Sequence, residues 1–316
     1  GVQTCALPIF INLALEGIMI FGAFVGVLFV RVVQQLGWFD AAKELGNWVS
    51  LQGFLCLTML AAGILGAVFS LLLAFAAINL KADQTIGGTA LNLMAPALVL
   101  FLIRLIANQN TLQMDNGDAA SWFMIKKTML GFEKNQDIGF LGESFLNKVY
   151  LSTYLCILLF VILSVILYKT RFGLRLRSCG ENPQAADSLG INVVKMRYTG
   201  VIISGALAGI GGFVYALTTA NCSANGDVAG FGFLALAVMI FGQWKPGRIA
   251  LAALLFGLFR ALSNTYVGFP SLAALNIPGN VYNMMPYIVS LIVLALTSKN
   301  SRAPKAEGIP YDKGSR

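Results

Sequence analysis

The sequence predicts an all-α fold, a polytopic transmembrane helical bundle of about eight spans. Hydrophobic residues make up 57% of the chain and charged residues only 11%, whereas about a quarter of the residues of a soluble domain are charged. Long apolar runs alternate with short polar segments, and basic residues concentrate in those segments. These observations indicate a chain that lies in a lipid bilayer over most of its length.

The predicted spans account for most of residues 10–298, which we expect to form one transmembrane domain. A helix needs about twenty apolar residues to cross the hydrocarbon core. The runs that approach this length are residues 9–30, 51–78, 86–107, 149–168, 198–220, 231–243, 249–266 and 284–298. Because residues 231–243 are too few for a full span, we expect them and residues 249–266 to be short, tilted or partly re-entrant.

Both ends of the chain are expected to differ from the membrane domain. Residues 1–9 lack the basic region that precedes the apolar part of a signal peptide, and we expect them to be a non-native leader. Residues 299–316 contain five Lys and Arg and are predicted to form a basic cytoplasmic tail.

Residues 169–199 form a polar segment between two apolar runs. Six of the chain's 22 Lys and Arg lie in it, against two acidic residues. Basic residues near the ends of spanning helices stay on the cytoplasmic side of a membrane, so this segment is predicted to be a cytoplasmic loop. Alternating spans then place twice as many basic residues inside as outside, and residues 108–148 form the longest external loop.

The letters GENP at residues 180–183 predict a turn that leads into a helix. Asn182 is a favoured cap residue, and Pro183 suits the first helical position. Residues 184–189 are then expected to form a short helix that Gly190 closes. A solvated connector rarely needs such a capped helix, so we interpret the loop as a binding surface for a partner.

Five polar residues in or beside the apolar runs are candidates for a translocation path. They are Glu16, Asn79, Asn92, Tyr282 and Asn283. A charge inside a span is costly and marks a functional hypothesis. Glu16 either lines a cavity or binds the backbone of a neighbouring helix, and the sequence favours neither. Arg260 is closer to the end of its run, where a long side chain reaches the interface.

The residue inventory excludes several kinds of chemistry. The chain has no histidine, and its five cysteines are scattered, so we predict no catalytic residue, no metal site and no cofactor on this chain. The topology explains the net charge of +8, and nucleic-acid binding is not expected. The sequence contains no P-loop motif, so any ATP hydrolysis would take place on another chain.

Four stretches of the sequence resemble a known family. They are RLRSCGENPQAADSLGINV at 175–193, NLALEG at 12–17, INLKADQTI at 78–86 and SGALAGIGG at 204–212. They closely resemble permease subunits of bacterial ABC importers of the ribose and branched-chain amino acid type. Within that group the chain looks most like the permeases of nucleoside importers, which work with Bmp-like binding lipoproteins. The family's first span or spans precede Asn12, so an N-terminal truncation is expected.

The resemblance implies a set of partners and a coupling surface. The cytoplasmic loop would dock on a separate ABC ATPase subunit through the residues that match the family motif. These are Gly180, Glu181, Asn182, Pro183, Ala185, Ala186, Asp187 and Gly190. A second permease, identical or related, and an external substrate-binding lipoprotein would complete an importer in the cytoplasmic (inner) membrane of a bacterium. Its substrate would be a small molecule, a nucleoside or a related sugar-containing solute.

An ion-coupled secondary transporter of a small polar solute is the alternative. That class usually carries acidic residues near the middle of the bilayer, and Glu16 is the one candidate in this sequence. An intramembrane enzyme would need a nucleophile with a base, or a metal cluster, inside the spans. The sparse charge and the missing histidine therefore favour the ATP-driven importer.

Overall fold

The computed structural model describes residues 12–133, 139–265 and scattered positions between 281 and 292. The predicted leader, the predicted tail, Tyr282, Asn283 and most of the predicted last span lie outside the described residues. The described chain is mostly helical, and its strands have only two residues each. This composition confirms the predicted all-α fold.

The elements follow one another in a simple order. The helices are α1 (Leu15–Gln35), α2 (Asp40–Glu44), α3 (Trp48–Ala74), α4 (Gln84–Ala107), α5 (Ala119–Trp122), α6 (Gly139–Leu146), α7 (Leu151–Lys169), α8 (Arg171–Glu181), α9 (Pro183–Ser188), α10 (Val193–Thr218), α11 (Phe231–Phe241) and α12 (Pro246–Thr265). The strands are β1 (Leu112–Gln113), β2 (Met124–Ile125), β3 (Val149–Tyr150) and β4 (Ser223–Ala224). A π-helical turn, Phe75–Asn79, continues α3, and a 3-10 turn, Lys127–Leu130, follows β2.

Within the described residues, six helices are long and apolar enough to cross a membrane. They are α1, α3 with its π-helical turn, α4, α7, α10 and α12. Each coincides with a predicted span, with ends shifted by a few residues. The largest correction concerns α1, which begins at Leu15 and continues past Arg31 to Gln35. A single arginine need not end a span, because its long side chain can reach the interface while the helix continues.

Helix α10 is central and packs most extensively against α1 and α3. Gly205 and Gly209, four residues apart, lie on the face of α10 that touches α3. A Cβ atom on Gly209 would overlap the carbonyl oxygen of Ala62 in α3, so only glycine permits this approach. Small residues allow such close packing in lipid, where van der Waals contact drives helix association.

The two ends of the bundle carry different structures. The basic end, which we define by Lys81, Lys169 and Lys245, holds α8 and α9. At the opposite end, β1 pairs antiparallel with β4, and β2 pairs with β3. The Gln34 side chain at the end of α1 accepts a hydrogen bond of 2.8 Å from the backbone N–H of Asp115. The loop of residues 108–133 is therefore attached to the ends of α1 and α10.

The chain between β4 and α11 re-enters the bundle. Gly226 lies against Pro96 and Leu100 of α4, and Pro96 is eleven residues before the last residue of that helix, a distance of about 16 Å along its axis. Helix α11 has 11 residues, which cover about half of the hydrocarbon core. Residues 225–241 therefore form a broken span, a non-helical segment followed by a half-helix, whereas α12 is a full-length helix.

Candidate functional site

The short helix that the sequence predicts in the basic loop is present as α9. Its N-cap is Asn182, whose side-chain oxygen accepts a hydrogen bond of 3.0 Å from the backbone N–H of Ala185. Pro183 occupies the first helical position, where no backbone N–H is needed. Gly190 has a φ of +79°, a left-handed conformation that favours glycine and ends the helix. The helix begins and ends one residue earlier than predicted.

The predicted coupling residues divide into an exposed set and a buried set. Glu181, Asn182, Ala185 and Gly190 are exposed, and Pro183 and Asp187 are partly exposed. Gly180 and Ala186 are buried, so they pack within the loop and are not available to a partner. These six exposed or partly exposed residues belong to the surface that α8, α9 and the turn after α9 present to water.

Sequence reasoning missed an apolar residue on this surface. Leu189, which directly follows α9, is 81% exposed, and Leu174 in α8 is 62% exposed. Both lie in the polar loop rather than on a helix long enough to cross a membrane. Large exposed apolar side chains in a polar loop are typical of an interaction site. The available signal was Leu189 itself, an apolar residue between the helix and its terminating glycine.

The α8–α9 segment packs against both α7 and α10. The Thr170 hydroxyl accepts a hydrogen bond of 3.2 Å from the backbone N–H of Gly173 and caps α8. The Arg177 guanidinium lies 4.7 Å from the centroid of the Tyr168 ring at the end of α7. Burial raises the pKa of the Cys179 thiol, so the thiol stays protonated and packs as an apolar group. A force on this loop would therefore reach α7 and α10.

Glu16 binds the start of the half-helix α11. One carboxylate oxygen accepts a hydrogen bond of 3.0 Å from Gly230 N–H, and the other accepts bonds of 2.6 and 3.3 Å from Gly232 and Phe233. The first N–H groups of a helix have no partner within the helix, and the helix dipole favours a negative charge there. Of the two roles left open for Glu16, the structure shows backbone binding.

Asn92 fulfils a similar role at the start of α1. Its side-chain oxygen accepts a hydrogen bond of 2.8 Å from Gly17 N–H, and its amide donates one of 2.8 Å to the carbonyl oxygen of Leu13. Asn12 donates a bond of 3.0 Å to the hydroxyl of Ser204 in α10. The polar side chains around the start of α1 thus satisfy the backbone of two helices that begin inside the bundle.

The predicted path residues do not form one cluster. Glu16 and Asn92 lie together around α1, whereas the Asn79 side chain accepts a hydrogen bond of 3.0 Å from the Tyr198 hydroxyl at the basic end. Tyr282 and Asn283 lie outside the described residues. Within 12–133 and 139–265, no three cysteine or carboxylate side chains converge in a way that would bind a metal ion.

Comparisons with known proteins agree with this architecture. A family model described as "Branched-chain amino acid transport system / permease component" matches residues 9–296. The nucleoside ABC transporter permease protein NupC of Lactococcus lactis subsp. cremoris (strain MG1363) is 40% identical over 303 residues, which cover 96% of this chain and 88% of that protein. The guanosine ABC transporter permease protein NupQ of Bacillus subtilis (strain 168) is 44% identical over 308 residues, which cover 97% and 89%. No solved structure matches the chain significantly.

The matched proteins are membrane permeases, and the bundle of long apolar helices and the exposed α9 are consistent with a permease. The family match covers most of the chain, and both relatives are similar over nearly its whole length. The chain therefore belongs to the branched-chain amino acid transport system permease family, and it is a multi-pass membrane transport component rather than an enzyme.

Proposed function

We propose that this chain is the permease subunit of an ATP-driven importer that carries a nucleoside or a related sugar-containing solute. The observation that carries the proposal is the capped, exposed helix α9 at the basic end, with Leu189 in water beside it. The proposed substrate follows the two relatives, whose names specify nucleoside and guanosine transport. The basic end then lies on the cytoplasmic side of a bacterial inner membrane.

The proposed assembly contains three further kinds of subunit. An ABC ATPase binds α8 and α9 and hydrolyses ATP, so no cofactor is needed on this chain. A second permease, identical or related, completes the membrane part. An external substrate-binding lipoprotein delivers the solute to the opposite end, where the loop of residues 108–133 and β4 are joined.

The geometry of Glu16 disfavours the ion-coupled alternative. A coupling carboxylate must be able to bind and release a cation or a proton during transport. Both oxygens of Glu16 already accept backbone hydrogen bonds from the start of α11. Releasing them would leave N–H groups without partners at membrane depth, which is costly.

Reconstituted vesicles test the proposed function. We expect labelled guanosine to enter proteoliposomes that contain the permease, its ATPase and its binding protein, and uptake to require ATP. Labelled ribose serves as the competing solute in a parallel assay. Uptake on an ion gradient by vesicles that contain no ATPase would contradict the proposal. ATP-driven uptake of ribose but not guanosine would rule out a nucleoside as the substrate and leave the related sugar-containing solute.

A further inference from the structure

The non-helical segment of residues 225–230 exposes polar groups inside the bundle. Asp227 lies on this segment and is exposed, and its carboxylate accepts a hydrogen bond of 2.9 Å from the backbone N–H of Ala229. Irregular backbone at membrane depth is tolerated only where it is buried in protein or lines a water-filled cavity. An exposed carboxylate on such a segment indicates the second case.

Two aromatic rings and a guanidinium lie beside this segment. The ring centroids of Tyr215 in α10 and Phe231 in α11 are 5.0 Å apart and tilted by 48°. The Arg260 guanidinium lies 5.5 Å from the centroid of Phe231. Asp227 precedes Phe231 by four residues, on the non-helical segment that leads into α11. Side chains of α10 and α12 thus meet Phe231 at the start of α11, next to the segment that carries Asp227.

Arg260 faces the interior of the protein rather than the membrane interface. Residues four apart lie on one face of a helix, and Arg260 continues the face of Ala252 and Phe256, which are buried against α11. Lipid-facing positions of α12 are exposed and apolar; they are Leu251, Leu254 and Leu258. Because Arg260 is near the end of its apolar run, the sequence favoured a side chain that reaches the membrane interface. In the structure the guanidinium contacts Phe231 at the start of α11 instead.

Phe231 lines two cavities, one on each side of α11. One, of about 250 Å³, lies between α1, α7, α10 and α11, and the other, of about 300 Å³, lies between α11 and α12 with Arg260 on its wall. The second is at the lower end of the usual range for ligand pockets, roughly 300 to 1,000 Å³. A solute that moved past the start of α11 would therefore meet Phe231 directly.

We propose that Tyr215, Asp227, Phe231 and Arg260 form a contact site for a nucleoside within the translocation path. The base stacks on the aromatic pair, because every nucleobase has a π face that such rings bind. Asp227 accepts hydrogen bonds from the ribose hydroxyls, and Arg260 donates to acceptor atoms of the base. This inference rests on the proposed function and assigns the contact to particular residues of this chain.

Photolabelling tests the site in the assembled complex. An azido-guanosine photoprobe is supplied to the reconstituted transporter with ATP, and labelled peptides are mapped after illumination. We expect label on Tyr215 or Phe231, and we expect excess guanosine but not excess ribose to suppress it. Label confined to other parts of this chain would overturn the proposal.

Transport by variants gives a second, independent readout. Phe231→Leu keeps an apolar side chain but removes the stacking face, so guanosine uptake should fall about tenfold. Asp227→Asn should also lower uptake. Phe75→Leu also removes an aromatic ring, at an exposed position of the π-helical turn toward the basic end, and should match the wild type. Each variant is first checked for normal elution on size-exclusion chromatography.

The outcomes separate this site from the proposed function. If the wild-type complex carries guanosine and both site variants carry it equally well, the site is refuted and the function stands. If the wild-type complex carries no guanosine, the nucleoside function fails, and the site fails with it.

Discussion

Replacing Leu189 by Glu is expected to abolish ATP-driven uptake while the protein still inserts and folds. Leu189 is 81% exposed next to α9, so a charge there costs little in the isolated subunit. In the assembled importer the side chain would be buried against the ATPase, and truncating an interface hot spot costs about 2 kcal/mol or more. We expect affinity for the ATPase to fall roughly 30-fold, measured by co-purification, with uptake lost in parallel.

Two controls separate lost docking from lost folding. Leu189→Met keeps an apolar side chain of similar size and should retain both docking and uptake. Leu189→Glu should elute from size-exclusion chromatography as the wild type does. Normal co-purification of the ATPase with Leu189→Glu would show that α9 is not the docking surface.

Replacing Glu16 by Ala is expected to give the largest loss of stability. Three backbone N–H groups at the start of α11 would lose their acceptor, and each unsatisfied buried donor costs about 1 to 3 kcal/mol. The half-helix would detach from α1, and the variant should express poorly and unfold at a much lower temperature. Thermal unfolding of the purified protein in detergent, followed by light scattering or thiol labelling, measures this effect.

Glu16→Gln serves as the matched variant. Its side-chain oxygen can still accept from the α11 N–H groups, so it should keep much of the stability that Glu16→Ala loses. Because Glu16 is occupied with the backbone, the uptake that remains should show unchanged preference between guanosine and ribose. A Glu16→Ala protein that is as stable as the wild type but prefers a different solute would instead place this carboxylate in the path.

Local signals made α9 predictable. Asn182, Pro183 and Gly190 each act on the backbone within a few residues. The N-cap, the first turn and the end of α9 could therefore be predicted from these residue types alone. The long spans were predictable for a similar reason, since length and apolar content suffice to identify them. Their ends were less certain, as Arg31 within α1 shows.

The broken span depends on contacts that no local pattern reveals. Glu16 and Gly230 are 214 residues apart, and the side chain of one satisfies the backbone of the other only after α1 and α11 have packed. The same holds for Asn92, which binds the start of α1 from 75 residues away. The sequence shows that Glu16 and Asn92 lie in apolar runs, but it does not show which backbone groups they bind. Residue type could therefore identify Glu16 as unusual without deciding its role.

The contact between α9 and an ATPase is the central claim, and site-specific crosslinking tests it most directly. A photoreactive amino acid is placed at Ala185, which is exposed on α9, or at Asn116, which is exposed at the opposite end of the bundle. In the assembled transporter, the probe at position 185 should crosslink to the ATPase subunit and the probe at position 116 should not. Crosslinking of the ATPase from position 116 but not from position 185 would contradict the account.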